Sequence, residues 1–166
     1  MHHHRVLFFV GDIYEDLELW YPLYRLQEAG AETVIAAETP GTFAGKHGYP
    51  CKAEALIDDM DESDFTALVI PGGFMPDQLR RNPKVLELTR EFDRSRKLIA
   101  MICHAGWIPI SAGILSGRTV TSTPGIKDDL VNAGASWVDQ AVVVDDHILS
   151  ARRPPDLPAF GKAIID

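Results

Sequence analysis

The sequence lacks several features that would assign a class of protein directly. No apolar run approaches the length of a membrane-spanning helix, and Val6 to Val10 is too short for the core of a secretion signal. The formal net charge is -8 and no basic cluster occurs, which argues against nucleic-acid binding. Neither a Gly-x-Gly-x-x-Gly nor a phosphate-loop lysine pattern is found. We therefore expect no membrane or nucleic-acid partner and no cofactor.

Cysteine is also scarce. The chain has two cysteines, Cys51 and Cys103, far apart and without the spacing of metal ligands. Two thiols without an export signal predict a reducing, cytoplasmic location with neither disulfides nor a metal site. The start, Met-His-His-His over residues 1–4, is either a shortened purification tag or a native tail.

The chain does contain a regular alternation of strands and helices. Its 166 residues predict a single domain over residues 5–166. Short connections between successive strands and helices predict a mainly parallel sheet with right-handed crossovers. Buried strands are predicted at 5–10, 33–37, 67–70 and 98–102, helices at 16–29, 83–94, 126–133 and 158–165, and hairpins at 38–52 and 142–151.

The apolar strand Leu98 to Ile102 ends in Cys103 and His104, and small residues and a helical pattern follow. A strand that turns sharply into a helix with a nucleophilic residue at the corner is typical of a nucleophile elbow. The helix start would favour the thiolate of Cys103. The alternative is a buried structural cysteine at a strand end, and this stretch alone favours neither.

Polar residues on two other loops are candidates for the same site, because ligands bind beyond the carboxyl ends of parallel strands. Glu15 either takes the thiol proton of Cys103 or is an ordinary acidic residue of a first helical turn, which its position alone favours. Asp77 either orients His104 as a base or caps the helix at 78–81. The backbone amides of Gly73 and His104 are candidate oxyanion donors.

Other reactive residue types fit structural roles better. Cys51 is predicted on an exposed hairpin, and His147 follows two aspartates in a turn that we expect to be solvated. Trp107 is of a type that more often packs than acts in a site.

Taken together, the motifs resemble the PfpI intracellular cysteine protease family, within the superfamily of the Parkinson-disease-associated deglycase and the class I glutamine amidotransferase-like fold. The resemblance covers nearly the whole chain. The motifs that carry it are Gly-Asp-Ile-Tyr-Glu-Asp-Leu-Glu-Leu at 11–19, Pro-Gly-Gly-Phe-Met-Pro-Asp at 71–77, Ile-Cys-His at 102–104, Ser-Ala-Gly at 111–113, Pro-Gly-Ile-Lys-Asp-Asp at 124–129, Asn-Ala-Gly at 132–134 and Ala-Arg-Arg-Pro-Pro-Asp-Leu-Pro at 151–158.

The resemblance implies a flavodoxin-like three-layer α/β sandwich with Cys103 as nucleophile. Glu15 would match the family glutamate that hydrogen-bonds the cysteine. His104 would match the histidine that follows the family cysteine. Asp77 would match the acidic residue, usually glutamate in the family, that reaches this histidine from a neighbouring subunit. A homodimer or hexamer would then complete the site.

By the same resemblance, the amides of Gly73 and His104 form the oxyanion hole. Trp107 stands beside the elbow where the family often has glutamine, and we expect it to form a wall of the pocket.

The expected function is that of a cysteine-dependent hydrolase acting on a peptide or a small reactive carbonyl compound. The resemblance admits peptide hydrolysis, glyoxalase or deglycase action and isocyanide hydration. The alternative is a redox-responsive stress protein whose Cys103 oxidises readily but turns over little. A non-catalytic binding domain is a third reading, which rests only on the versatility of the fold.

Overall fold

A computed structural model describes residues 4–166, and eleven strands and six helices make up its regular structure. The strands are β1 (Arg5–Phe9), β2 (Glu32–Ala37), β3 (Thr42–Ala44), β4 (Pro50–Lys52), β5 (Ala55–Leu56), β6 (Ala67–Ile70), β7 (Leu98–Ile102), β8 (Thr119–Val120), β9 (Ser136–Trp137), β10 (Val142–Asp145) and β11 (Ile148–Ala151). The helices are α1 (Asp16–Glu28), α2 (Met75–Leu79), α3 (Pro83–Arg94), α4 (Trp107–Ala112), α5 (Lys127–Asn132) and α6 (Leu157–Ile165).

Seven strands form the central sheet, in the order β10-β11-β7-β6-β1-β2-β5. All neighbouring strands run parallel except β10 and β11, which form an antiparallel hairpin at one edge. Helices α1 and α6 pack together on one face, and α2, α3, α4 and α5 cover the other. The prediction of a three-layer α/β sandwich with a mainly parallel sheet is confirmed.

Burial explains why the central strands read as continuous apolar runs. Helices cover both faces of the sheet, so β6 and β7 are buried along nearly their whole lengths. The helix between them, α3, begins with Pro83 at its first position, and the side chain of Asn82 accepts the backbone N–H of Lys84 at 2.9 Å. The predicted bounds of α3 and β7 are confirmed.

Helix α1 begins at the predicted residue 16, and two acidic side chains hold its first turn in place. Glu15 is the capping residue, because its Oε2 accepts the backbone N–H of Glu18 at 3.1 Å. The carboxylate of Asp16 instead accepts the backbone N–H groups of His47 and Tyr49, at 2.8 and 2.9 Å. This ties the β3–β4 hairpin to the first turn of α1.

Two predicted exposures are wrong. Cys51 is 0% exposed, and its burial raises the pKa of the thiol to about 11. His147 is 7% exposed, since its ring lies between Asp93, 2.8 Å from Nε2, and Asp146, 3.0 Å from Nδ1.

No helix within residues 4–166 is both long enough and apolar enough to cross a membrane. The prediction of a tag or native tail falls mainly on residues 1–3, which lie outside the described part of the chain.

Candidate active site

The nucleophile elbow is formed where β7 ends. Cys103 has a φ of 63°, in the left-handed region that side chains other than glycine rarely adopt. A 3-10 turn, Cys103–Gly106, follows and leads into α4. Such a conformation persists only where the surrounding structure holds it, and it directs the side chain out of the line of the strand. Cys103 is 9% exposed and opens into a cavity.

Glu18, not Glu15, supplies the carboxyl group at the thiol, which corrects the sequence-based assignment. Glu18 is 0% exposed and lies in the first turn of α1. Its Oε2 accepts the backbone N–H of Gly72 at 3.2 Å, and its side chain interacts with that of Cys103, so that each group shifts the pKa of the other. Among residues 4–166, Oε1 of Glu18 has no hydrogen-bond partner. Glu15 instead caps the helix and lies 3.4 Å from Nε2 of His47.

Two glycines make the approach of Glu18 and Cys103 possible. A Cβ on Gly72 would stand 2.8 Å from both Cβ of Cys103 and Oε2 of Glu18, so no larger residue fits between them. Gly73 has a φ of +81°, and a Cβ there would stand 2.4 Å from the carbonyl oxygen of Ile13. Sequence reasoning found Gly73 but missed the role of Gly72.

The acid and the thiol shift each other's protonation. Burial raises the pKa of Glu18 well above its usual range, the charge of Glu15 adds to the rise, and the hydrogen bonds to Cys103 and Gly72 lower it by less. Burial, then the charge of Glu18, raises the pKa of Cys103 to about 12, against a smaller lowering by the amides of His104 and Gly73. The amides at the elbow therefore lower the pKa of the thiol, in the predicted direction, but burial and Glu18 outweigh them.

His104 is the second neighbour of the thiol. Its Nδ1 lies 3.2 Å from Sγ of Cys103, so the adjacent residues do form a pair. Burial, and then the charge of Lys46, lowers the pKa of His104, which favours a neutral ring at neutral pH. A neutral imidazole at this distance is able to accept a proton from the thiol.

The thiol opens into a cavity of about 200 Å³. Apart from Cys103, Glu15, Glu18, Gly73 and His104, its lining consists of Lys46, His47, Phe74, Thr123, Arg153 and Pro154. Trp107 does not line this cavity, which corrects the predicted pocket wall. Its ring lies 5.0 Å from that of His104, and its Nε1 donates to Asp129 at 2.9 Å.

Asp77 does not meet His104 within one protomer. Its carboxylate pairs with Nη2 of Arg81 at 2.7 Å, and it lines a different cavity, beyond the ends of β1 and β2. Among residues 4–166, no carboxylate is hydrogen-bonded to the ring of His104. The expectation that a neighbouring subunit supplies Asp77 stays a prediction.

Glu15, Asp16 and His47 bring three potential metal-binding atoms within 4.8 Å of one another. The oxygens of Asp16 already accept two backbone N–H groups, and Oε2 of Glu15 caps α1. The donor atoms are thus engaged in holding the local fold, and we assign no metal to them.

Comparisons with known proteins agree with this geometry. A deglycase of Pyrococcus horikoshii is 46% identical over 97% of both chains, and the deglycase PfpI of Pyrococcus furiosus is 44% identical over the same shares. DJ-1beta of Drosophila melanogaster superposes with a TM-score of 0.91 at 26% identity, over 98% of this chain and 88% of its own. The model of the DJ-1/PfpI family matches residues 4–166. The chain therefore belongs to the DJ-1/PfpI family.

Proposed function

We propose that this protein is a cysteine-dependent enzyme that converts 2-oxoaldehydes and the adducts they form with amino and thiol groups. The observation that carries the proposal is the position of Cys103 at a cavity. Its Sγ has the carboxyl group of Glu18 on one side and Nδ1 of His104, at 3.2 Å from Sγ, on the other. Relatives at 44 and 46% identity are named deglycases, which supports the same class of substrate.

In the first step, Sγ of Cys103 adds to the aldehyde carbon and forms a hemithioacetal. The thiol proton passes to Nδ1 of His104, which is neutral because burial lowers its pKa. Glu18, protonated because burial raises its pKa, donates a hydrogen bond to the sulfur while negative charge develops there. The backbone amides of Gly73 and His104 stabilise the oxyanion.

In the second step, the hydrogen on the former aldehyde carbon moves as a proton, by way of His104, to the neighbouring carbon. The aldehyde carbon is oxidised by two electrons and the ketone carbon is reduced by two, so no external oxidant is needed. The product is a 2-hydroxy thioester. Water then cleaves the carbon–sulfur bond, which releases a 2-hydroxy acid and regenerates the thiol of Cys103.

We further propose that a second copy of the chain contributes Asp77. Within residues 4–166 of one protomer the far nitrogen of His104 has no carboxylate partner, while the side chain of Asp77 is 43% exposed and available to another molecule. A carboxylate on that nitrogen would fix the ring with Nδ1 toward the sulfur.

The direct test compares turnover of methylglyoxal by the wild type, Cys103→Ala and Cys51→Ala, with a peptide substrate as a second arm. We expect Cys103→Ala to lose turnover of methylglyoxal and Cys51→Ala to keep it, since Cys51 is buried away from the cavity. Equal rates for the wild type and Cys103→Ala on methylglyoxal would refute the proposal, and turnover of the peptide alone would favour a protease.

The second candidate is a redox-responsive stress protein. General stress protein 18 of Bacillus subtilis is 43% identical over 90% of this chain, and Cys103 is the more accessible of the two thiols. Intact mass after mild peroxide distinguishes this role. The redox role requires that Cys103 is oxidised before Cys51 and that turnover of methylglyoxal by the wild type is no faster than by Cys103→Ala.

A further inference from the structure

Two cations line the cavity of the nucleophile in a chain whose net charge is -8. Lys46 lies on the loop of the β3–β4 hairpin, and Arg153 follows β11, so the two side chains reach the cavity from different parts of the fold. Among residues 4–166, no carboxylate lies within ion-pairing distance of either side chain.

This contrasts with the neighbouring arginine. Arg152 is held by Asp156 and Asp139, with nitrogen–oxygen distances of 2.9 Å for its closest contact to each. Its charge is thus used within the fold, whereas the charge of Arg153 is not. The side chain that faces the cavity is the one left without a carboxylate.

The acidic groups of the cavity do not neutralise this pair of cations. The carboxylate of Glu15 accepts the backbone N–H of Glu18 and lies 3.4 Å from the ring of His47. Glu18 is buried, and its raised pKa favours its neutral form. The charge of Lys46 reaches the reacting groups, since it acts on both Glu18 and His104.

We infer that Lys46 and Arg153 bind an anionic group, a carboxylate or phosphate, on the substrate whose carbonyl carbon Cys103 attacks. The inference deepens the proposed function, because it names the preferred substrates as 2-oxoaldehydes that carry a negative charge. A cation at the rim of a cavity favours such substrates over neutral ones of the same size.

The test uses two alkylating reagents that differ in charge, iodoacetate and iodoacetamide. Each forms a carbon–sulfur bond to Sγ of Cys103 with loss of iodide, and intact mass reports the rate. Both reagents need the same thiolate, so the ratio of their rates cancels any change in the pKa of Cys103. The ratio therefore reports recognition of the carboxylate without requiring catalysis.

We expect Arg153→Gln and Lys46→Gln each to lower the iodoacetate-to-iodoacetamide ratio about threefold to fivefold, the size typical of a solvent-exposed charge pair. Arg153→Lys keeps the charge and retains most of the ratio. The matched control is Lys52→Gln, an exposed cation on β4 that does not line this cavity, and its ratio stays at the wild-type value. Unchanged ratios in both Arg153→Gln and Lys46→Gln would overturn the inference.

A turnover assay separates this inference from the proposed function. 4,5-Dioxopentanoate and 2-oxopentanal are 2-oxoaldehydes of equal chain length, one anionic and one neutral. We expect the wild type to prefer the anionic compound and Arg153→Gln to lose that preference. A shifted alkylation ratio without turnover of either compound would support the anion site and contradict the proposed function. Turnover of both compounds at equal rates, with an unchanged alkylation ratio in the variants, would support the proposed function and contradict the anion site.

Discussion

The two ends of the parallel sheet each hold a histidine that is at least partly buried, and the two rings are partnered in opposite ways. At the amino end, His147 lies between Asp93 and Asp146, with both ring nitrogens within 3.0 Å of a carboxylate oxygen. At the carboxyl end, His104 has Nδ1 beside a sulfur and no carboxylate partner among residues 4–166. One histidine joins elements of the fold, and the other is left able to move a proton.

The same contrast extends to the charges around each ring. Near His147, Arg118 lies 3.6 to 3.8 Å from Asp93, Asp145 and Asp146, so each of these carboxylates has a cation within ion-pairing distance. Near His104, Glu18 is buried with one oxygen that has no hydrogen-bond partner among residues 4–166, and Cys103 has a strained backbone. Saturated contacts stabilise the amino end, while reactivity at the carboxyl end depends on contacts that are left incomplete.

The largest expected effect comes from Glu18→Gln, which keeps the shape of the side chain but cannot exchange a proton. We expect kcat/KM for methylglyoxal to fall about 100-fold, within the range for loss of a general acid or base. Steady-state kinetics measure it. Glu15→Gln is the matched control, and its loss is expected to stay below about tenfold because Glu15 does not contact the thiol.

The comparison of the two acids fails if Glu15→Gln proves more damaging than Glu18→Gln. Thermal unfolding of both variants checks that neither loss of turnover follows from loss of fold. Glu15 caps α1, so its variant is expected to lose about 1 kcal/mol of stability.

At the other end of the sheet, His147→Gln is expected to lower the free energy of unfolding by about 2 kcal/mol. The change leaves two carboxylates near Arg118 without the ring that bridges them. Urea unfolding measures the loss, and His4→Gln, an exposed histidine, is the control. We expect turnover per folded molecule to stay at the wild-type level. A loss of turnover without a loss of stability would contradict the purely structural role of His147.

The pH dependence of stability sharpens the account of Glu18. Its pKa in the folded state is raised above the ordinary value of 4.5. Its contribution to stability is therefore fully present below that ordinary value and is lost as pH rises through the raised pKa. Glu18→Gln lacks this loss, so we expect it to gain stability relative to the wild type as pH rises above that ordinary value of 4.5. Melting curves across that range test it, and parallel pH profiles would contradict it.

The smallest effect on the protomer is expected from Asp77→Asn. Its ion pair with Arg81 is largely exposed, so stability changes by less than about 0.5 kcal/mol. If a second copy supplies Asp77 to His104, kcat falls about threefold while the folded protomer stays intact. Sedimentation at assay concentration accompanies the kinetics, and a fully active monomer would contradict the proposed role of a second copy.

Much of the fold is predictable from the sequence because it depends on local patterns. The apolar run of β7 and the cap and periodicity of α3 specify these elements without reference to the rest of the chain. The burial of His147 was not predictable, since it depends on Asp93, 54 positions away in sequence.

The site was predictable in part. Cys103, His104 and Gly73 all line the cavity, but Glu15 was assigned the contact that Glu18 makes. Both acids fall at a helix start, where acidic residues are common, so local sequence does not separate them. Helical spacing does not separate them either, because Glu15 precedes the buried Leu19 by one turn just as Glu18 precedes the buried Pro22.

The central claim is that Glu18 holds a proton beside Cys103 at neutral pH. The most direct measurement is the infrared carbonyl stretch of protonated carboxylic acids at pH 7, in the wild type, Glu15→Gln and Glu18→Gln. The account predicts a band in the wild type that persists in Glu15→Gln and disappears in Glu18→Gln. Absence of the band from the wild type, or its survival in Glu18→Gln, would contradict the claim.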